Sequence, residues 1–297
     1  MTIINSTNDG LYPELISLFR AIEHGGTLDR NAVIDHCTRG IQGDSIRMRT
    51  VLKRWTDLGL FEMKEENIQI DERFGQKKRG EKIDELIARL PTACRILMFD
   101  SPNCLPFWGE SQGISADFVR GASWLLAQNI YEFPTVWQKA EPIHNQQFTT
   151  DKRIITNDTR FNGLRHWMRY LGFATGDGDA FLIDPTIAIK SELPAIFSAK
   201  SDLSANDFIT AIATRLPVLD FGHYRQMVES VLNKEYWRPP DNIHLSMSLS
   251  LALHRLSLDK VIHLTGKADA GTSFRLTGRK YRSWLGFESV HWIGGQL

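Results

Sequence analysis

The chain has 297 residues, 42% hydrophobic, 10% aromatic and 24% charged, which suits about two domains and excludes wholesale disorder. Thirty-five basic residues offset thirty-five acidic ones, so any attraction to nucleic acid or an anionic membrane has to come from local clusters, and a generic polycation is excluded. Three cysteines, Cys37, Cys94 and Cys104, exclude a disulfide-stapled secreted scaffold and fit a reducing compartment.

The opening residues lack a basic region followed by a long apolar run, and no stretch of about 18 uncharged apolar residues occurs later, so a cytoplasmic protein with no membrane partner is expected. From Tyr12 to Asp71 the pattern predicts three helices and a hairpin. Pro13 opens the first helix, Leu15, Leu18, Phe19 and Ile22 share one face, and Gly25 and Gly26 close it. Asp29 is placed to cap a second, short helix carrying Val33 and Ile34; Asp44 or Ser45 is placed to cap a third. In the third helix Met48, Val51, Leu52, Trp55 and Leu58 form an apolar stripe, and Arg47, Thr50 and Arg54 line one polar flank with Arg49 and Lys53 on another. Leu58, Gly59 and Leu60 stop that helix, and period-two alternation through Phe61, Met63, Ile68 and Ile70 around Glu65 and Glu66 reads as a hairpin. A basic run, Arg73, Lys77, Lys78 and Arg79, leads into a charged connector ending near Leu90.

The same ending is written a second time. Phe161, Leu164, Trp167 and Met168 lead to Leu171, Gly172 and Phe173, and in both copies an Ile-Asp pair starts eleven residues after the glycine, at Ile70 and Ile183. The second hairpin is expected to turn at Gly176 to Asp179, with an upstream helix from Ala116 to Asn129. A weaker third copy begins at Ser204 and continues through helices around Tyr224 to Leu232 and from Met247 to Leu258; its hairpin is expected to pair Val261 to Leu264 with Phe274 to Leu276, and Trp284 to Phe287 to form a short closing helix. The resulting expectation is a mainly α fold with short β-hairpins, in tandem winged-helix (wHTH) units at 1–90, 91–200 and 201–297, leaving no room for a large catalytic domain.

Arg47, Arg49, Lys53 and Arg54 are the candidate DNA-binding residues of the third helix, because a guanidinium fork can bond guanine O6 and N7 together while lysine neutralises phosphate. The alternative is a solvated helix face. Lys77, Lys78 and Arg79 read either as a phosphate clamp beside the hairpin or as a soluble linker. Arg160, Arg165, His166 and Arg169 in the second copy are interleaved with Trp167 and Tyr170 and followed by Asp177 and Asp179, which favours packing or partner binding there. Arg275, Arg279, Lys280 and Arg282 alternate with Tyr281 and Trp284, a pattern that can engage unstacked bases but also serves as an ordinary core anchor. The nine histidines show no zinc spacing, and neither a phosphate-binding glycine loop nor a nucleophile elbow is present, so no metal, cofactor or enzymatic activity is expected.

Residues 12–71 resemble winged helix-turn-helix domains. The opening Met1 to Leu11, together with the length, is similar to the DpdG family, components of bacterial gene clusters that place 7-deazaguanine derivatives in DNA and restrict unmodified DNA. That resemblance implies an accessory role in anti-phage restriction beside helicase, ATPase and nuclease partners, with no enzymatic residues to carry over. The function expected is therefore duplex DNA binding by a non-enzymatic protein, with homodimerisation open. The competing expectations are a protein-interaction scaffold that never touches DNA and, last, a nuclease built from scattered carboxylates.

Overall fold

The structure is a computed structural model that describes residues 2–4, 12–38, 44–75, 81–109, 111–266 and 274–294. The chain divides into two compact units, each assembled from two stretches: 1–118 with 159–171, and 119–158 with 172–297. The sequence expectation was three consecutive segments, bounded near residues 90 and 200.

The first unit starts with α1 (Tyr12–Gly25), β1 (Leu28–Asp29), α2 (Arg30–Thr38) and α3 (Asp44–Asp57), followed by β2 (Phe61–Lys64) and β3 (Asn67–Ile70). Leu15, Leu18, Phe19 and Ile22 of α1, Val33 and Ile34 of α2, and Met48, Val51, Leu52 and Trp55 of α3 form the core, as their helical spacing requires. Asp29 caps α2 by accepting the amides of Asn31 and Ala32, both at 2.9 Å. The hairpin is joined by a third strand that periodicity does not predict, giving the antiparallel order β1-β3-β2 with Leu28 opposite Ile68 and Phe61 opposite Ile70.

After the short α4 (Glu72–Gly75), the unit continues through α5 (Ile83–Ala88), α6 (Leu90–Phe99) and α7 (Ser101–Cys104). Asn103 donates to the carbonyls of Leu58 and Leu97, both at 2.9 Å, tying the end of α3 to α6. Asp117, at the start of α8 (Ala116–Leu126), is buried and accepts the amides of Ile3 and Ile4 at 3.2 and 3.0 Å, which holds the described N-terminal residues against the unit.

The second unit holds the remainder of α8 and α9 (Trp137–Gln147), whereas α10 (Asp158–Tyr170) lies almost wholly in the first. Beyond it come the two-residue strands β4 (Ala174–Thr175) and β5 (Leu182–Ile183), α11 (Thr186–Ile196), β6 (Asp202–Ser204), α12 (Ala205–Arg215), α13 (His223–Glu229) and α14 (Met247–Leu258). The chain then forms β7 (Ile262–Thr265), β8 (Phe274–Thr277), β9 (Ser283–Phe287) and β10 (Ser289–Trp292). Here the pairing differs from expectation. β7 pairs with β10 in a sheet of order β6-β10-β7, while β8 pairs with β9, so the 261–264 and 274–276 segments do not form one hairpin. Trp284 to Phe287 is a strand and not a helix, because Phe287 and Gly286 sit opposite Phe274 and Arg275 in the β8-β9 ladder.

Candidate nucleic-acid interface

The apolar stripe of α3 fixes which residues it turns outward: with Val51 and Trp55 at 0% exposure, the opposite face carries Ile46, Arg49 and Lys53. Arg49 donates from Nη1 to Asn31 Oδ1 at 2.9 Å, and Lys53 pairs with Asp57 one turn on at 2.7 Å. Both partners are on the surface, so both cations can exchange them for another anion at little cost. Arg47 is half-turned inward, its Nε 3.1 Å from Glu14 Oε1 of α1.

Arg54 departs from expectation. It is 4% exposed, because three residues after Val51 and four before Leu58 is a position on the edge of the buried stripe, and its guanidinium is not on the outward face. The β2-β3 turn exposes Lys64, Glu65, Glu66 and Asn67, with Glu65 at φ 57°, so acidic groups occupy its tip. Lys77, Lys78 and Arg79 lie outside the described residues.

The comparisons with known proteins bear on this surface through the chain as a whole. A protein-family model described as DpdG-like matches residues 1–270. The chain belongs to the DpdG-like family. Membership gives a role in a DNA-modification system, and the match spans residues of both units of this DpdG-like protein. No curated protein and no solved structure matches the chain.

Helix α10 uses its aromatic residues for packing. Trp167 is buried with its ring 5.7 Å from that of Trp55, and Tyr12 stacks on Tyr170 at 4.4 Å and on His166 at 4.5 Å. Burial and neighbouring charge push the Tyr170 hydroxyl above its ordinary range, and burial raises the Cys94 thiol, which stays protonated and inert. Asp177 accepts the amide of Gly178 at 2.8 Å and so caps the single 3-10 turn Gly178–Ala180. Among the described residues, no group of three or more His, Cys, Asp or Glu side chains could hold a metal ion, and no helix is long and apolar enough to cross a membrane.

The second unit contains polar groups that sequence reasoning missed. His144 is fully buried, and its Nε2 accepts the amides of Ile154 and Ile155 at 3.1 and 3.3 Å. Nε2 must therefore be unprotonated, and desolvation lowers its pKa to about 4. Gln147 accepts from Trp124 Nε1 at 2.7 Å and donates to Gln128 at 3.0 Å, while Gln128 donates to the Trp124 carbonyl at 3.0 Å. Gln128 and Gln147 border a cavity of about 620 Å³ that Tyr236, Arg238, Ser246, Thr277 and Tyr281 also reach. In one dimension Gln128 and Gln147 look like surface residues at the ends of α8 and α9. The only local signal was the alternation of aromatic and basic residues from Arg279 to Trp284.

Proposed function

We propose that this protein is a non-enzymatic, cytoplasmic DNA-binding component of a bacterial anti-phage restriction system, working beside helicase, ATPase or nuclease partners. Its first unit acts as a winged helix that lays the outward face of α3 in the major groove of duplex DNA. One observation carries the reading: Arg49 and Lys53 stand together on the solvent face of the third helix, beside a β1-β3-β2 sheet in the element order α-β-α-α-β-β. Groove insertion exchanges their surface partners for phosphate or base edges, and phosphate contacts release counterions. Arg54 has no part in it.

The test is the Arg49→Ala, Lys53→Ala double variant, titrated against a fluorescent duplex at several salt concentrations. Loss of two phosphate contacts lowers affinity and reduces the slope of log K against log salt by about 2. Unchanged binding by the folded variant overturns the assignment to α3.

A second reading, a scaffold that pairs with another protein, is favoured by two features of the same surface. Glu65 and Glu66 at the hairpin tip repel a phosphate backbone, and Ile46 beside Arg49 is 76% exposed. A wild-type chain that does not bind duplex, together with a folded Ile46→Ser variant that loses a restriction partner, supports the scaffold.

A further inference from the structure

The cavity in the second unit is built from three kinds of surface. Its wall holds buried neutral polar groups: Gln128, Gln147, Ser246 and Thr277 are 6, 4, 4 and 7% exposed. The Thr277 Oγ1 is buried without a hydrogen-bond partner, although its backbone amide is satisfied by Ser250 at 2.8 Å. Leaving a hydroxyl in that state costs free energy, and a ligand atom at the cavity wall would recover it. Gln128, after its bonds to Trp124 and Gln147, keeps one N–H and one acceptor lone pair, a donor next to an acceptor.

The second surface is aromatic. Tyr236 and Tyr281 line the cavity at 52 and 74% exposure, offering ring faces to whatever enters. Tyr281 follows Lys280 in the left-handed region, at φ 58° and 57°, so two successive side chains are held in a conformation that only glycine adopts freely.

The third surface is cationic and lies outside. Arg238 lines the cavity, and Arg279, Lys280 and Arg282 flank Tyr281 in sequence; all four are exposed, and none has an ion-pair partner among the described residues. The acidic residues there are Asp241, engaged by His244 at 2.8 Å, and Glu235.

A neutral donor-acceptor wall, aromatic faces and cations only at the rim suit a ligand that is planar and uncharged inside and anionic outside. We propose that this cavity binds an unstacked base of single-stranded DNA: the base lies against Tyr281 and Tyr236, its edge bonds to Gln128 and Thr277, and its flanking phosphates meet Arg238 and the Arg279–Lys280 pair. Arg238 at the cavity and the three cations next to Tyr281 in sequence exceed what one phosphate uses, which favours a strand over a free nucleotide. The site is independent of α3, so it stands or falls apart from the duplex reading.

The test is anisotropy of a labelled single-stranded oligonucleotide with the full chain, its Tyr281→Ala and Thr277→Val variants, and the Arg49→Ala, Lys53→Ala variant as control. Tyr281→Ala lowers affinity about tenfold, the scale of one lost base-aromatic stack. Thr277→Val, nearly isosteric and missing only the hydroxyl, lowers it severalfold, and both losses persist in the Arg49→Ala, Lys53→Ala background, which removes any share of strand binding that α3 contributes. The proposal is overturned if the folded wild-type chain does not bind the strand, or if folded Tyr281→Ala and Thr277→Val both bind as wild type does. Competition by a mononucleotide as effective as the strand itself also overturns it, assigning the cavity to free nucleotides.

Discussion

In the segment from Asp44 to Asp71 the helix, the glycine turn and the hairpin all belong to the first unit; in the segment from Asp158 to Asp184 the helix joins the first unit and the hairpin the second. Locally the two are built alike. Gly59 and Gly172 both take positive φ, at 93° and 81°, and the amides of Asp71 and Asp184 bond to the carbonyls of Leu60 and Phe173 at 3.0 and 2.9 Å. Each aspartate then accepts the amide two residues on, Arg73 at 2.9 Å and Thr186 at 3.0 Å, and so starts the next helix. The Ile-Asp spacing is thus an instruction for a turn and a cap.

What differs is the destination of the helix. Turn and cap are each worth about 1 kcal/mol, whereas burying one large aromatic contributes about 2–3 kcal/mol, so the apolar stripe decides. Trp167 finds Trp55 and Tyr170 finds Tyr12, and α10 completes the core of the first unit. The lesson is that turn chemistry is portable while helix placement follows the larger burial.

Four experiments sharpen this contrast. Trp167→Ala removes a ring that is 2% exposed and is expected to cost about 3–5 kcal/mol in chemical denaturation, with a coupling to Trp55→Ala of about 1 kcal/mol in a double-mutant cycle. Additive single effects would break the claim that this pair places α10.

Protonation of His144 is the next largest effect. Its pKa is about 4 in the folded chain against 6.5 unfolded, so the unfolded state binds the extra proton first: this contribution is complete above about 6.5 and is lost as pH falls toward about 4, amounting to about 3 kcal/mol. His144→Gln keeps an acceptor near the Nε2 position without the titration. Its stability-pH curve should lie lower at pH 7 and lack that part of the acid decline; a curve parallel to wild type would refute the assignment.

The two aspartates separate as well. Asp184 is 1% exposed and binds Thr186 and Arg255, so Asp184→Ala should cost about 2 kcal/mol, from the cap it removes and the part-buried Thr186 amide and hydroxyl it leaves unmet, Arg255 being exposed enough to turn to water. Asp71 is 9% exposed and faces Arg73, whose hydrogen bond holds its carboxyl below the usual range; Asp71→Ala should cost about 1 kcal/mol, the value of a cap. Equal costs would mean that the two sites are equivalent in packing as well as in backbone.

The smallest contrast lies at the glycines. An added Cβ at Gly172 meets the Ala188 amide at 2.8 Å, whereas at Gly59 its nearest neighbour is 3.6 Å away. Both alanine variants bear about 1 kcal/mol of left-handed strain, and Gly172→Ala exceeds Gly59→Ala by the added clash. The reverse order in thermal denaturation would contradict the geometry.

Much of this organisation is legible in one dimension where a local period or cap specifies it. The stripe of α3, the Asp29 cap, the Gly176–Asp179 turn and the span of α14 are of that kind. Strands β6 and β7 meet β10 across long stretches of chain, and a two-residue strand such as β1 has no period to read, so neither pairing was visible. Arg54 was misplaced because a helical wheel shows where the stripe lies and not how far neighbouring elements cover its edge. The cavity in the second unit was hidden for a related reason: Gln128, Gln147 and Thr277 are polar, and only the tertiary fold buries them.

Anisotropy of the wild-type chain on labelled duplex DNA across a salt series tests the central claim most directly. The account predicts micromolar or tighter binding that weakens steeply as salt rises, with the Arg49 and Lys53 substitutions flattening the slope. Absence of binding by the folded protein near about 50 mM salt would contradict it and leave the first unit as a surface for protein partners.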